Sequence, residues 1–187
     1  MAKVLIHATV TLDGYMADMD GGVDWMFDVP SVDADDTLIQ GVVQELGAVV
    51  GGANKTRTIE DGEEPYGGSL QIPVFEMTHT PTDPIVKDGT TYTFVVDDIA
   101  HAVDLARAAA GDKAVALLGG SIARQCLTLG LVDEIQLHVV PILLGNGISL
   151  FGGLGKTVAL ERIETAAFAS GVHMRYRVIK DSASSQP

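Results

Sequence analysis

Residues 119–151 read GGSIARQCLTLGLVDEIQLHVVPILLGNGISLF, and this stretch decides the fold. It follows AVALL at residues 114–118, a short apolar run without polar alternation, as in a strand buried on both faces. Gly119, Gly120 and Ser121 then open a short helix that reaches Leu129, with Gly130 just past its end. Residues 133–140 (DEIQLHVV) read as the next strand, closed by Pro141. A glycine pair lets backbone come close to a ligand, and Ser121 at the cap leaves the N–H groups of Ile122 and Ala123 pointing outward. With the helix dipole behind them, these neutral donors suit an anion. The same junction also reads as a tight turn in which glycine relieves strain.

Working outward, residues 3–11 (KVLIHATVT) are apolar and β-branched, again a doubly buried strand. Leu12-Asp13-Gly14-Tyr15 is a turn signal, and an Asp- and Gly-rich loop fills residues 16–30. Ser31 reads as an N-cap, with Asp33, Asp35 and Asp36 beside the positive end of the helix dipole. Leu38, Ile39, Val42, Val43 and Leu46 keep helical spacing, Gly47 closes the helix, and residues 48–50 form a short strand. Residues 51–70 read as a long mobile loop, 71–79 (QIPVFEMTH) as a strand, 80–89 as a connector and 91–96 (TYTFVV) as a strand. Asp97 or Asp98 caps a helix with Ile99, Ala102, Val103 and Ala106 on one face, stopped by Gly111. Two last strands, around residues 158–165 and 172–179, pair antiparallel, and residues 181–187 fray. The order argues for one α/β domain over residues 1–180: a mainly parallel central sheet with flanking helices and a C-terminal antiparallel addition.

Composition limits the partners. The chain has 187 residues, 12 Lys+Arg and 25 Asp+Glu, a formal net charge of −13, and 21 glycines. So acidic a chain has no basic face for nucleic acid or for an anionic membrane. A lone Cys126 forms no internal disulfide and no thiolate cluster. No signal-peptide core or apolar run of membrane-spanning length is present, so a cytoplasmic location is expected. The five histidines, His7, His79, His101, His138 and His173, lack metal-ligand spacing, and no metal site is expected. His7 and His138 read as plain strand residues, and Cys126 as an inert core position. Trp25 is the sole tryptophan; in its Gly/Asp loop it either walls a ligand site or staples the loop to the core. The carboxylates Asp24, Asp28 and Asp33 lie nearby and individually read as solvated or capping residues.

The run of GG, helix, Gly-Leu-Val-Asp-Glu, strand ending in proline and LLGNGISLF resembles the dihydrofolate-reductase-like superfamily. Within it the likeness is to the branch containing the reductase domain of riboflavin biosynthesis. TLDGYMA, VDW, PVFEMTH, AAAGDKAVALLGG and VHMRYRV fit the same pattern, so the resemblance spans about residues 4–178. It implies a three-layer fold of that type, a homodimer, and NADPH across the strand ends, with NADH as the other candidate. Carried over by motif, Gly119, Gly120, Ser121 and Ile122 face the pyrophosphate and nicotinamide, while Ala8, Met16 and Ala17 flank the nicotinamide. Thr78 and His79 lie beside the adenosine, and Trp25 sits in the active-site loop, with Asp28 and Asp33 near the place of the family's acid. The family's Gly-Arg-x-Thr after the second strand is replaced by Gly51-Gly52-Ala53-Asn54-Lys55-Thr56-Arg57. Lys55, Thr56 or Arg57 takes the role of the missing arginine if the loop is displaced by a few residues. The implied activity is hydride transfer to a pteridine-, pyrimidine-like or ribosyl small molecule. The alternative is a non-catalytic nucleotide- or phosphate-binding domain that senses or binds a partner.

Overall fold

Apolar runs that lack alternation become the strands at the middle of one sheet, where neither face meets water. The computed structural model describes residues 1–26, 40–52, 66, 70–80, 82–168 and 171–180, without the side chain of Phe168. In chain order the strands are β1 (Val4–Thr11), β2 (Tyr15–Ala17), β3 (Leu46–Gly52), β4 (Val74–Met77), β5 (Ile85–Lys87) and β6 (Thr90–Val95). They continue with β7 (Ala114–Leu117), β8 (Glu134–Val140), β9 (Ile148–Ser149), β10 (Leu160–Phe168) and β11 (Gly171–Val178). Helix α1 (Ile99–Ala110) enters β7 and helix α2 (Gly120–Thr128) leaves it. Residues 40–45 are helical and run into β3.

Nine strands share one sheet in the order β10-β11-β8-β1-β7-β3-β4-β6-β5. The six from β8 to β6 are parallel neighbours; β11 and β10 join antiparallel at one edge and β5 at the other. Val4, Ile6 and Val10 of β1 point into the larger core, against Val103 and Ala106 of α1 and Ile122 and Cys126 of α2. Leu5 points to the opposite face, with Val42, Leu46, Val49, Val74 and Tyr92. Asp98 caps α1 by accepting from the His101 N–H (2.9 Å), and Gly111 ends it at φ 62°. The α/β class, the mainly parallel sheet and the antiparallel C-terminal pair follow the sequence reading.

Four local expectations are corrected. Gly47 does not close a helix: β3 begins at Leu46, and a Cβ on Gly47 would lie 2.8 Å from the Ala110 carbonyl oxygen. Glycine there lets the end of α1 lie against the sheet. Residues 80–89 are not all connector, because β5 pairs with β6 around Asp88-Gly89, at φ 47° and 85°. Positive φ at both central positions is the tight hairpin turn that Asp-Gly favours, a signal the exposed Ile85 and Val86 masked. Residues 15–17 leave the loop to form β2, which pairs with β9 in a separate two-stranded ribbon. The cap of α2 is Gly119 rather than Ser121.

Candidate functional site

In parallel sheets of this kind ligands bind beyond the carboxyl ends of the strands. At the end of β7 the backbone of Gly119 takes φ 92° and ψ 138°, a conformation L side chains rarely adopt, and a Cβ there would meet open space. Gly120 is glycine for another reason. A Cβ on it would fall 2.9 Å from Arg124 Nη1 and 3.2 Å from both Met16 Sδ and the Ser149 carbonyl oxygen. The space expected for a ligand at Gly120 is therefore filled by protein, while the space at Gly119 is open. Ala123 N–H donates to the Gly119 carbonyl (3.0 Å), so it is not an outward donor. The first helical N–H groups, those of Gly120, Ser121 and Ile122, have no partner within the helix itself. Ser121 is exposed, and Gln125 Nε2 donates to its hydroxyl at 3.2 Å.

The β2–β9 ribbon is fastened beside this turn. Arg124 Nη1 donates to the carbonyls of Ser149 (2.9 Å) and Leu150 (3.3 Å), tying α2 to β9. Asp13 accepts from the Thr11 hydroxyl (2.6 Å) and the Gly145 N–H (2.8 Å), which ties the turn after β1 to the segment before β9. The Thr11 bond, with Gly145 and Leu144 adding to it, holds the Asp13 carboxyl below the usual aspartate range.

Met16, Gly120 and Ile122 thus come together with Gly52, whose Cβ would sit 3.4 Å from Ile122. Gly51 is buried at the end of β3, Ala17 is buried in β2, and Ala8 lies half-buried against the larger core. Thr78 and His79 follow β4, separated from β7 by β3. The Thr78 hydroxyl is turned locally, accepting from the Thr80 N–H at 3.2 Å, and His79 is exposed. Trp25 is buried in the single turn Asp24–Met26, its ring N–H without a hydrogen-bond partner among the described residues. Asp28, Asp33, Lys55, Thr56 and Arg57 lie outside the described residues. Cys126 is fully buried, and burial pushes its thiol up to about 12.

One constellation escaped the sequence reading. His138 on β8 stands opposite Thr9 of β1 and opposite His173 of β11, so strand register gathers three histidines onto one sheet face. His7 and His138 meet through Nε2 atoms at 2.9 Å; His138 and His173 meet through Nδ1 atoms at 3.4 Å. All three are buried. Burial first, then the charges of His138, His173 and Arg175, push His7 down to about 3. The only signal in the sequence was a polar residue at buried-strand positions, and nothing there tells which strands are neighbours. Among the described residues no cluster of His, Cys, Asp or Glu is placed to hold a metal ion. No described helix is long and apolar enough to cross a membrane.

Comparison with known proteins gives the setting of this architecture. A protein of Shewanella sp. PV-4 named for riboflavin biosynthesis is 26% identical, with a TM-score of 0.78, covering 96% of this chain and all of that one. The Thermotoga maritima diaminohydroxyphosphoribosylaminopyrimidine deaminase/5-amino-6-(5-phosphoribosylamino)uracil reductase is 14% identical with a TM-score of 0.66. There the match covers 95% of this chain and 57% of that one. An Enterococcus faecalis dihydrofolate reductase, solved with NADP(H), is 10% identical with a TM-score of 0.59, over 95% and 97% of the two chains. The last two likenesses are of fold alone. Residues 2–174 match the RibD C-terminal domain family, and the chain belongs to that family.

Proposed function

We propose that the chain is a nicotinamide-dependent reductase that passes hydride to a C=N or C=O bond of a planar heterocyclic or ribosyl small molecule. NADPH is the favoured cofactor and NADH the alternative. The observation that carries the reading is the turn at Gly119: open space beside a positive-φ glycine, at a strand end, before a helix of nine residues. In a chain of net charge −13, a dinucleotide has to be held by such local donors. What supports the pyrophosphate side is Gly119 and Gly51, where a Cβ would meet nothing within 4 Å, with Ser121 and Ile122 opening the helix beside them. In this reading Ala8, Met16 and Ala17 flank the nicotinamide, Thr78 and His79 with Lys55 and Thr56 take the adenosine side, and Trp25 and Asp28 border the substrate. The cofactor supplies the hydride; the protein's part is position and exclusion of water.

The test is a titration with NADPH and with NADH, following Trp25 fluorescence and thermal shift. Saturable binding of either is the expected result; no binding of either at millimolar concentration overturns the reading. The non-catalytic alternative draws on Gly52, which stands where the resemblance calls for arginine. It predicts nucleotide binding without oxidation of NADPH by any heterocyclic acceptor. A homodimer through the apolar 131–144 region belongs to the same proposal, and light scattering that finds a monomer refutes that part.

A further inference from the structure

Three imidazoles on β1, β8 and β11 touch nitrogen to nitrogen, and the reductase reading above makes no use of them. The contacts run Gln136 Nε2···His173 Nε2 (3.2 Å), His173 Nδ1···His138 Nδ1 (3.4 Å) and His138 Nε2···His7 Nε2 (2.9 Å). The series ends at Tyr66, whose hydroxyl is 3.2 Å from His7 Nδ1 and whose ring stacks on His7 at 8°. All six ring nitrogens are engaged. Each contact between two nitrogens takes one proton, donated from one side and accepted on the other.

Proton counting then limits the states. Three neutral rings carry three N–H protons. If the Gln136 amide donates, those protons sit on His173 Nδ1, His138 Nε2 and His7 Nδ1, all pointing toward Tyr66. If the amide is turned over so that its oxygen accepts, the order reverses and Tyr66 donates into the series. Three further states keep every contact intact with one more proton, carried by His173, by His138 or by His7. In all three His7 donates to Tyr66 and His173 donates to Gln136 Oε1 of the turned-over amide, and the ring with the extra proton donates from both nitrogens. As the amide is placed, its nitrogen faces His173 and its oxygen is buried without a partner among the described residues. A fifth proton would set two N–H groups against each other, so the series accepts one extra proton and no second.

We propose that His7, His138 and His173 are a buried one-proton store that discharges through the Tyr66 hydroxyl. Its use rests on the reductase reading. When hydride adds to carbon, the electron pair of the C=N or C=O π bond moves to the heteroatom, which needs a proton. Tyr66 gives one, takes one from His7 Nδ1, and His7 takes one from His138 Nε2. The rings are left neutral in the reversed order, with no charge on Tyr66, and a proton from water reloads them by the same path. The surrounding charges bear on this. Arg175 on β11 opposes a charge on the rings but is itself held by Glu134 of β8 and by Glu45, while Glu164 of β10 favours a charge on His173. A proton on His138 or His173 pushes His7 down, as a single-proton limit requires.

The experiment is long-range 1H–15N NMR of the 15N-histidine-labelled full chain, without added nucleotide, from about pH 8 to about pH 4.5. The three buried rings are expected to shift together in one transition that takes up one proton. His138→Gln keeps hydrogen-bonding reach without a proton site and is expected to abolish the shared transition. Tyr66→Phe is expected to keep that transition and to slow proton exchange between His7 and water several-fold. Three independent transitions, or no uptake by these rings before the fold is lost, overturn the store; unchanged exchange in Tyr66→Phe overturns its outlet. Thermal shift with NADPH on the wild-type sample separates the two readings. A shared transition without NADPH binding removes the reductase and leaves the store, and NADPH binding without the shared transition does the reverse.

Discussion

At Gly119 the backbone takes φ 92° with open space where a side chain would project, whereas Gly120 is crowded by Arg124, Met16 and the Ser149 carbonyl. The two neighbours should therefore respond differently to alanine. Gly119→Ala has only backbone strain to absorb and should cost about 1 kcal/mol. Gly120→Ala must displace neighbouring atoms and should cost about 1–3 kcal/mol, loosening the ribbon of β2 and β9 as well. Urea denaturation of both variants checks the order. The buried histidines carry a pH signature of definite sign. His7 and His173 are both pushed below the ordinary histidine value, chiefly by burial, so the unfolded chain binds more protons than the folded one in acid. Their contribution to stability is complete above about pH 6.5 and is lost as the pH falls from there toward about 3, the value His7 takes when folded. The midpoint of thermal unfolding should fall through that window, and His7→Gln should flatten the slope. Glycine and histidine were both visible as letters. Their reasons were not, because each depends on what packs opposite.

Among elements, Arg175 of β11 ties three parts of the chain together. Its Nε donates to Glu134 of β8 (2.8 Å), and its two terminal nitrogens grip both oxygens of Glu45 (2.9 and 2.8 Å). Lys3 reaches Glu134 from the other side at 2.7 Å. Burial works against a charge on Glu134, but Lys3 and Arg175 outweigh it and hold the carboxyl below its ordinary range. Arg175→Met removes one partner from the buried Glu134 and should destabilise the fold by about 2–4 kcal/mol. Because Glu134 is shielded, the loss should persist in high salt, which denaturation at two salt concentrations would show. Arg124 plays a similar part on the other side of the sheet: Arg124→Ala breaks its bonds to the Ser149 carbonyl of β9 and to the Leu150 carbonyl just after it, and should cost about 1–2 kcal/mol, read from the same denaturation curves. The strands and α1 were readable from local pattern, since Asp98, the Ile99, Ala102, Val103 and Ala106 face, and Gly111 are all local signals. β2, β5 and β9 were missed, because strands of two or three residues carry too little periodicity and owe their pairing to neighbours distant in sequence.

For the whole molecule, the net charge of −13 sets the field any ligand crosses. If a dinucleotide is held at Gly119 mainly by neutral donors, salt should screen the overall repulsion more than it weakens the local contacts. NADPH binding should then tighten by up to a few-fold between about 20 and about 200 mM salt; weakening would mean that placed cations dominate the site. The sequence by itself determined the α/β class, the mainly parallel sheet and the family, because buried-strand runs, caps and the 119–151 segment are encoded locally and in order. It also placed the glycine turn at the end of β7. Only the tertiary structure decided that Gly120 faces protein and Gly119 faces open space, and that His7, His138 and His173 form one series. Register between strands more than a hundred residues apart, β1 against β8, brings those rings together, and that distance is closed only when the sheet assembles.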